Sequence, residues 1–528
     1  MKPTPQFLIR TFLLIATFSL SSFIGVCQNV FIPDANFKAA LVGNININTN
    51  GDGEVQTSEA AAFAGLISVN NLNITDLTGI GAFTALTQLH CTNNQLTSLD
   101  VSTNTALYLL YCSSNSLTSL NVSGATSLTD LRCLFTQLNS LDVSFNSALA
   151  ILDCRYNQLS SLNVFGATAL LSLNCSFNSL TSLNLSSNTS LTNLGCSSNQ
   201  LNNLNFFTNV DLMVLSCNNN ILTSLDFSNN VALISLDCHN NLLTSLNVST
   251  NSALSELHCS NNQLTSLNIT SCSALFDLDC GSNFLTTLNV SNNTALELLY
   301  CNNNELDSLN LFTNTALTDL DCHANRLTSL DLSTNIDLFI LYCGANLLTS
   351  LNVSTNTGLN YLDCQLNQLT SLNVTANMGL FELYCNNNQL TSLNVQNGTN
   401  VNMDLWAYNN PNLYCIQVDD VSWSFANWTP PNAIDAIASF SLNCSVGLEE
   451  ENNFAFVIYP NPASTQLTLT TENTTKSIYI VSDVSGRILK TGNFTQNTTL
   501  CVSDFLSGTY FIQLLSEDGV TNKKFNKL

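Results

Sequence analysis

Leu233-Ile-Ser-Leu236-Asp-Cys238-His-Asn-Asn241-Leu-Leu243-Thr-Ser-Leu246-Asn-Val248-Ser-Thr-Asn-Ser-Ala253 is one of fifteen copies of a 21-residue unit, and its pattern decides the fold. The cysteines that mark the copies run from Cys91 to Cys385 at a spacing of 21 without a slip. Leucine stands five and two positions before each cysteine and five and eight positions after it. Asparagine follows each cysteine by three, except where Thr136 takes the slot. So regular a period means a stack of like units, each burying its apolar face only against its neighbours. Within a unit, L-x-x-L-x-C and L-x-x-L-[ND]-V both alternate apolar and polar residues, which predicts two short strands per turn. The fold class is therefore mainly β, a flattened coil with a parallel sheet on each side. Fifteen coils at strand spacing make a rod of roughly 70 Å.

Each cysteine occupies an inward position of its strand, so its thiol is expected to point into the core as a small hydrophobe. Successive thiols would stand about 4.8 Å apart with parallel Cβ vectors, a direction that disfavours disulfides; a disulfide or metal ladder is the other reading of the same column. Cys415 and Cys444 lie outside the array and are candidates for a disulfide, whereas Cys272 and Cys501 have no evident partner. The asparagine after the first strand can bond backbone groups of neighbouring turns. The second half of the unit closes in S-x-N-T or a variant, which reads as turn chemistry.

Charged residues are only 9% of the 528, and the net charge is −24. An acidic chain of this kind repels phosphates and anionic lipid heads, which sets nucleic acid and membrane surfaces aside as partners. Lys2 and Arg10 precede an apolar stretch from Phe12 to Ile24, too short for a membrane span, so residues 1–27 read as a signal peptide with Gln28 as the mature start. No other segment is long enough to cross a bilayer, so the mature chain is expected to have no transmembrane helix.

L-x-x-L-x-C-x-x-N-x-L resembles the leucine-rich repeat with cysteine in a leucine slot, and more narrowly the nested 21-residue bacterial class. The resemblance covers residues 66–395 and implies ligand recognition by a sheet face. Ahead of it, residues 28–65 read as a helical N-terminal cap, with a short helix over Pro33 to Asn44. The stretch from Asn48 to Glu59 matches the EF-hand calcium loop. Asn48, Asn50 and Asp52 would offer oxygens at positions one, three and five, with Gly53 at six. The backbone of Glu54 would serve at seven, Gln56 at nine and Glu59 at twelve. Asn48 departs from the usual Asp, which removes one charge from the calcium site. The alternative is a cap loop that holds no ion.

Residues 396–445, with Trp406, Trp423 and Trp428, read as the C-terminal cap, and 446–452 as a linker. Residues 453–528 lose the period and show strand-like runs at Phe454 to Tyr459, Gln466 to Thr470, Ser477 to Val481, Arg487 to Lys490 and Thr509 to Leu514, which predicts a small β-sandwich. Tyr459-Pro-Asn-Pro-Ala463, Asp483-Val-Ser-Gly-Arg487, Leu506-Ser-Gly-Thr-Tyr510 and the lysine-containing end Lys523 to Leu528 resemble the type A C-terminal sorting domain of the type IX secretion system. That resemblance implies dealings with the type IX machinery, passage across an outer membrane, and surface attachment or release.

If the thiol faces inward, the residues one and three before it and one after it face outward. The column directly before the cysteines alternates acid and tyrosine in its later part. With its neighbours it gives a candidate ligand-binding set of Tyr300, Asp321, Tyr342, Tyr361, Asp363 and Tyr384. Tyrosine beside acid suits protein segments or glycans; alternation that merely spaces like charges along the ladder is the plainer reading. Asp237, His239, Glu256, His258, Asp277 and Asp279 form a second outward cluster with metal-ligand chemistry. No G-x-S-x-G elbow, H-E-x-x-H helix or phosphate loop occurs, so the chain is not expected to be an enzyme. The expected function is a secreted or cell-surface binding or adhesion protein. The rival is a surface-layer or matrix component that self-associates through its repeats.

Overall fold

Each of the fifteen L-x-x-L-x-C stretches contributes a three-residue strand, and with one more strand at each end, Leu66–Ser68 and Asp404–Trp406, they line up in parallel as one 17-stranded sheet. The computed structural model describes residues 28–398, 402–444, 456–471, 476–484, 486–516 and 519–528. The expected signal peptide 1–27 and linker 446–452 lie outside these. Pairing along the main sheet keeps the repeat in register, with Leu236 opposite Leu257 and Asp237 opposite His258. Register is fixed because a slip of one residue would turn every leucine outward.

Leu236 and Cys238 are buried while Ser235 and Asp237 are half-buried, the period of two that the sequence predicts. All fifteen ladder cysteines are free thiols with no exposed surface. Burial pushes their ionisation up, to about 12 at Cys91 and at Cys175, so they stay protonated hydrophobes. With the leucines they form one core that runs from Ile32 to Phe440.

The second sheet is less regular than expected. Strands form at Ser98–Asp100 with Ser119–Asn121, at Ser140–Asp142 with Ser161–Asn163, and near the far end from Ser371–Asn373 through Ser392–Asn394 to Cys415–Gln417 and Ser439–Ser441. Between these groups only isolated bridges such as Asp226 to Asn247 remain. The [ND] of each copy limits strand length: Asn247 Oδ1 accepts from Ser249 N at 3.1 Å, bending the chain straight after the inward leucine.

Two asparagine ladders tie the coils together. Asn241 Nδ2 donates to Cys217 O (3.1 Å) and Cys238 O (3.0 Å), and its Oδ1 accepts from Leu222 N at 3.0 Å. The second ladder corrects the plain turn reading of S-x-N-T. Asn251 is wholly buried, and its Nδ2 donates to Phe227 O (3.3 Å) and Asn230 O (2.8 Å) of the preceding coil. Cys272 occupies this second slot once, reaching Val248 O at 3.6 Å. Ala125 and Ala167 occupy it twice, each after a glycine. A Cβ on Gly124 would stand 1.7 Å from Ser102 O, and one on Gly166 equally close to Ser144 O. Two residues after each cysteine the chain turns left-handed, at φ 52° for Asn240 and Asn261. Asparagine tolerates that region better than most residues.

At one end the helices Ala35–Val42 and Thr57–Ala62 supply Phe37, Leu41 and Ala60 to the core. Asp34 caps the first helix by accepting from Asn36 N and Phe37 N, both at 2.9 Å. At the other end Leu405, Ala407 and Asn410 form a further coil, with alanine in the cysteine slot. The helix Val421–Asn427, Trp428 and Phe440 then close the core. Trp406 differs from its expected capping role: it stands on the outer face, 42% exposed, because it occupies the outward position of that extra coil. Cys415 and Cys444 are disulfide-bonded, with Cα atoms 5.8 Å apart.

The C-terminal segment holds a 3-stranded and a 4-stranded antiparallel sheet around Phe456, Leu469, Val481, Ile512 and Phe525. The strands Asn497–Cys501 and Gly519–Lys527 were not expected, since their polar and lysine-rich sequences hide the alternation.

Candidate binding face of the main sheet

Outward positions one and three before each cysteine form two columns on the main sheet. Strand pairing places Tyr300, Asp321, Tyr342, Asp363, Tyr384 and Trp406 side by side in one of them, one per coil. Tyr361 joins from the adjacent column. Four of these rings touch: Tyr342 to Tyr361 at 4.6 Å between centroids, Tyr361 to Tyr384 at 5.5 Å, and Tyr384 to Trp406 at 4.9 Å. Tyr408 extends the cluster from Trp406 at 6.2 Å. Tilted and edge-on contacts of this kind hold rings in place without ligand.

Burial, then Tyr342 and the Asp363 carboxylate, push the Tyr361 phenol up. Burial and the hydrogen bond that Tyr384 donates to Glu382 (2.6 Å) do the same for Tyr384. Both remain neutral donors. Asp363 is pushed up by burial, although Gln365 donates to it through its backbone N and its Nε2, both at 3.0 Å. The structure thus brings Tyr342, Tyr361, Asp363 and Tyr384 together. Asp321 is next in the row and holds His323 Nδ1 at 2.6 Å. Tyr300 stands apart from the ring contacts, raised by burial and by Asp319, Asp277, Asp321 and Asp279.

The sequence reading missed Trp406 and Tyr408 because the step from Cys385 to Ala407 is 22 residues and lacks the cysteine; Leu405 and Asn410 were the available signal. It also missed a stack on the turn edge. Phe135, Tyr156 and Phe177 lie 4.4 Å apart in sequence order, with planes within 9°. They occupy the left-handed slot that Asn or Ser fills in most other coils.

The acid and histidine cluster does not converge. Asp237 takes His239 Nδ1 (2.6 Å), Asp277 takes His258 Nε2 (3.1 Å), Glu256 takes Ser235 Oγ (2.9 Å) and Asp279 takes Ser260 Oγ (2.6 Å). Among the described residues no three His, Cys, Asp or Glu side chains are grouped to hold a metal ion. A one-residue strand spacing keeps each acid with its own neighbour.

The loop at Asn48 to Glu59 is held in shape by its own hydrogen bonds. Gly51 and Gly53 have φ of 68° and 85°, and Gly53 makes the sharp bend at position six. Asn50 Nδ2 donates to Asp52 Oδ2 (3.0 Å) and Gln56 Oε1 (2.8 Å), while Glu59 accepts from Thr49 N (2.8 Å) and Gln56 N (3.0 Å). Asn48 Oδ1 accepts from Gly51 N at 3.0 Å. Glu54 turns its carboxylate to Lys38 Nζ at 2.5 Å. Hydrogen bonds from Glu54 N and the Gln56 side chain hold the exposed Asp52 carboxylate below its usual range.

Residues 457–527 match the family described as the Secretion system C-terminal sorting domain. No curated protein matches the sequence. Among solved structures, the functional domain of InlJ from Listeria monocytogenes, described as including a cysteine ladder, is similar at 28% identity with a TM-score of 0.62; the alignment covers 95% of this chain and 98% of that one. The leucine-rich repeat protein LIC12759 from Leptospira interrogans is similar at 21% identity, TM-score 0.54, over 72% of this chain and 97% of that one. The Arabidopsis receptor kinase HAESA, solved with the peptide hormone IDA and the co-receptor SERK1, is similar at 18% identity, TM-score 0.57, over 69% and 68%. The chain is a leucine-rich repeat solenoid followed by a secretion-system sorting domain. No helix among the described residues is long and apolar enough to cross a membrane.

Proposed function

We propose that this is a non-catalytic protein, exported through the type IX system to the cell surface or the medium, that holds a protein partner on the outer face of its main sheet. The observation that carries the reading is the row of touching rings at Tyr342, Tyr361, Tyr384, Trp406 and Tyr408, flanked by Asp363 and Asp321. Aromatic side chains dominate protein-binding hot spots because they offer large contact area at small entropy cost. The sorting domain supports export, and a rigid solenoid supports presentation of a fixed surface.

The test is capture of a partner from the surrounding medium by the mature chain, followed by affinity measurement with the purified partner. Truncation of a hot-spot aromatic costs about 2 kcal/mol or more. Tyr361→Ser combined with Trp406→Ser should therefore weaken binding by more than tenfold while the melting curve stays in place. Undiminished affinity in the double variant contradicts the reading. Concentration-dependent assembly of the pure protein by light scattering, abolished by the same pair, supports the self-associating component instead.

Calcium at the Asn48 to Glu59 loop belongs to the same proposal. Asn48, Asn50, Asp52, Gln56 and Glu59 would supply side-chain oxygens and Glu54 its carbonyl. The role is to rigidify the N-terminal cap, since the loop joins two helices that pack on the solenoid core. A ligand at a hundred times its Kd adds about 2.7 kcal/mol to stability. Calcium should accordingly raise the melting temperature of the mature chain and give a calorimetric heat, both lost in Asp52→Ala. An unchanged melt and no heat remove the ion.

A further inference from the structure

The outer face of the main sheet is not uniformly studded. Its first coils carry Tyr111, Arg132 and Asp153 in the column before the cysteine, and Asp237 and His258 return to large or charged residues further on. Between them the column shrinks to Asn174, Gly195 and Ser216. The result is a depression of about 470 Å³, within the size range of ligand sites. Gly195 makes it possible: a Cβ there would meet the Asn174 amide at 2.9 Å, so the glycine lets that amide lie across the floor.

The chemistry of the walls is specific. Asn174 uses its oxygen to accept from Ser176 N at 3.2 Å, and Asn193 uses its oxygen to accept from Thr192 Oγ1 at 2.8 Å. Both NH₂ groups are left without a protein partner among the described residues, and the Ser216 hydroxyl also lines the space. The one cation at the rim, Arg155, is spent on Asp153 at 2.9 Å. At the opposite end Asp237 is spent on His239 at 2.6 Å and on the Asn218 amide. The floor is therefore uncharged in a chain of net charge −24.

One wall is aromatic. Phe177 ends the stack begun by Phe135 and Tyr156: Tyr156 covers one side of its ring, and the next coil offers only Ser198 in that slot. Phe177 lines the depression and is 45% exposed. Holding a phenylalanine left-handed at φ 57° costs free energy, where most other coils use Asn or Ser.

We propose that this depression is a binding site for a neutral glycan, lying along the rod axis. Amide and hydroxyl groups that both donate and accept match sugar hydroxyls. A flat apolar wall matches the C–H face of a sugar ring. Successive coils add further hydroxyl and amide groups, Ser176, Ser197 and Asn218 in one column, at steps of about 4.8 Å, which suits a polymer rather than a monosaccharide. A basic peptide finds no free carboxylate on the floor, and an anionic polymer meets one cation that is already paired.

Calorimetric titration of the mature chain with cellohexaose, xylohexaose, mannohexaose and maltohexaose tests the site, with hexagalacturonate and hexalysine as charged probes. At least one neutral oligosaccharide should bind saturably. Phe177→Ser and Ser216→Tyr should each weaken it by tenfold or more. Both substitutions install residues that other coils carry in the same slots, Ser198 and Tyr111, so the fold should persist, which a thermal melt verifies. The Tyr361→Ser and Trp406→Ser pair should leave the glycan affinity unchanged, which separates this site from the protein-binding row. Absence of saturable binding by any neutral probe overturns the proposal. So does binding indifferent to both variants, or binding confined to hexagalacturonate or hexalysine.

Discussion

Asn241→Ala should destabilise the solenoid by about 1–3 kcal/mol, the cost of one buried polar group left without its partner. The amide bridges two coils: its loss leaves Leu222 N without its acceptor and takes one of two asparagine donors from Cys217 O and from Cys238 O, which keep Asn220 and Asn262. Leu222 N cannot turn to water instead, because the site is buried between stacked turns. Threonine is the control. Thr136 already occupies this slot in one coil, donating to Cys133 O at 3.3 Å and to the Asn157 oxygen. Asn241→Thr should thus cost clearly less than Asn241→Ala. Denaturant unfolding, with hydrogen exchange at Leu222 N, measures both; a loss under about 1 kcal/mol for alanine contradicts the ladder's role.

Gly124→Thr should be more damaging still, and Ala125→Asn should repair it. A Cβ at Gly124 meets the Ser102 carbonyl oxygen at 1.7 Å, a backbone overlap that no rotamer relieves. Elsewhere the equivalent slot holds Thr103, Phe145 or Ser187, and the next residue is then asparagine. The buried amide of Asn104 spans to Ile80 O (3.0 Å) and Phe83 O (2.9 Å) of the preceding coil and so sets the spacing between coils. Alanine makes no such bonds, and ahead of Ala125 and Ala167 only glycine clears the carbonyl of the preceding coil. The single variant should lose several kcal/mol, and the double should recover at least half, a coupling of the kind that double-mutant cycles resolve. Equal stability of the single and double variants contradicts this account.

The main sheet was legible in the sequence because one physical demand, burial of leucine and cysteine against the next coil, repeats without interruption. The outward columns followed from the same alternation, so Tyr342, Tyr361, Asp363 and Tyr384 were identifiable before their contacts were. The second sheet was less legible because Leu246-Asn247-Val248 carries the same pattern as the copies that form strands, and the Asx bend is common to both, as at Asp100 and Asn247. Asn251 was read as a turn residue because its amide bonds the coil before it, 21 and 24 residues away, beyond any local pattern. Trp406 was assigned to the cap because alanine in place of cysteine hides the coil that carries it. Phe135, Tyr156 and Phe177 went unnoticed because nothing local favours a left-handed aromatic; their mutual stacking appears only once the coils are in register.

The account rests on a dry thiol ladder, and counting reactive thiols tests it. In the native mature chain, a thiol-specific disulfide reagent should modify Cys501 alone, since it is exposed and its ionisation is favoured by Ser503. The other sixteen free cysteines, fifteen in the ladder and Cys272, should react only after denaturation. Several thiols reacting in the native state as fast as Cys501 would contradict the buried spine, and with it the outward columns on which both proposed binding sites depend.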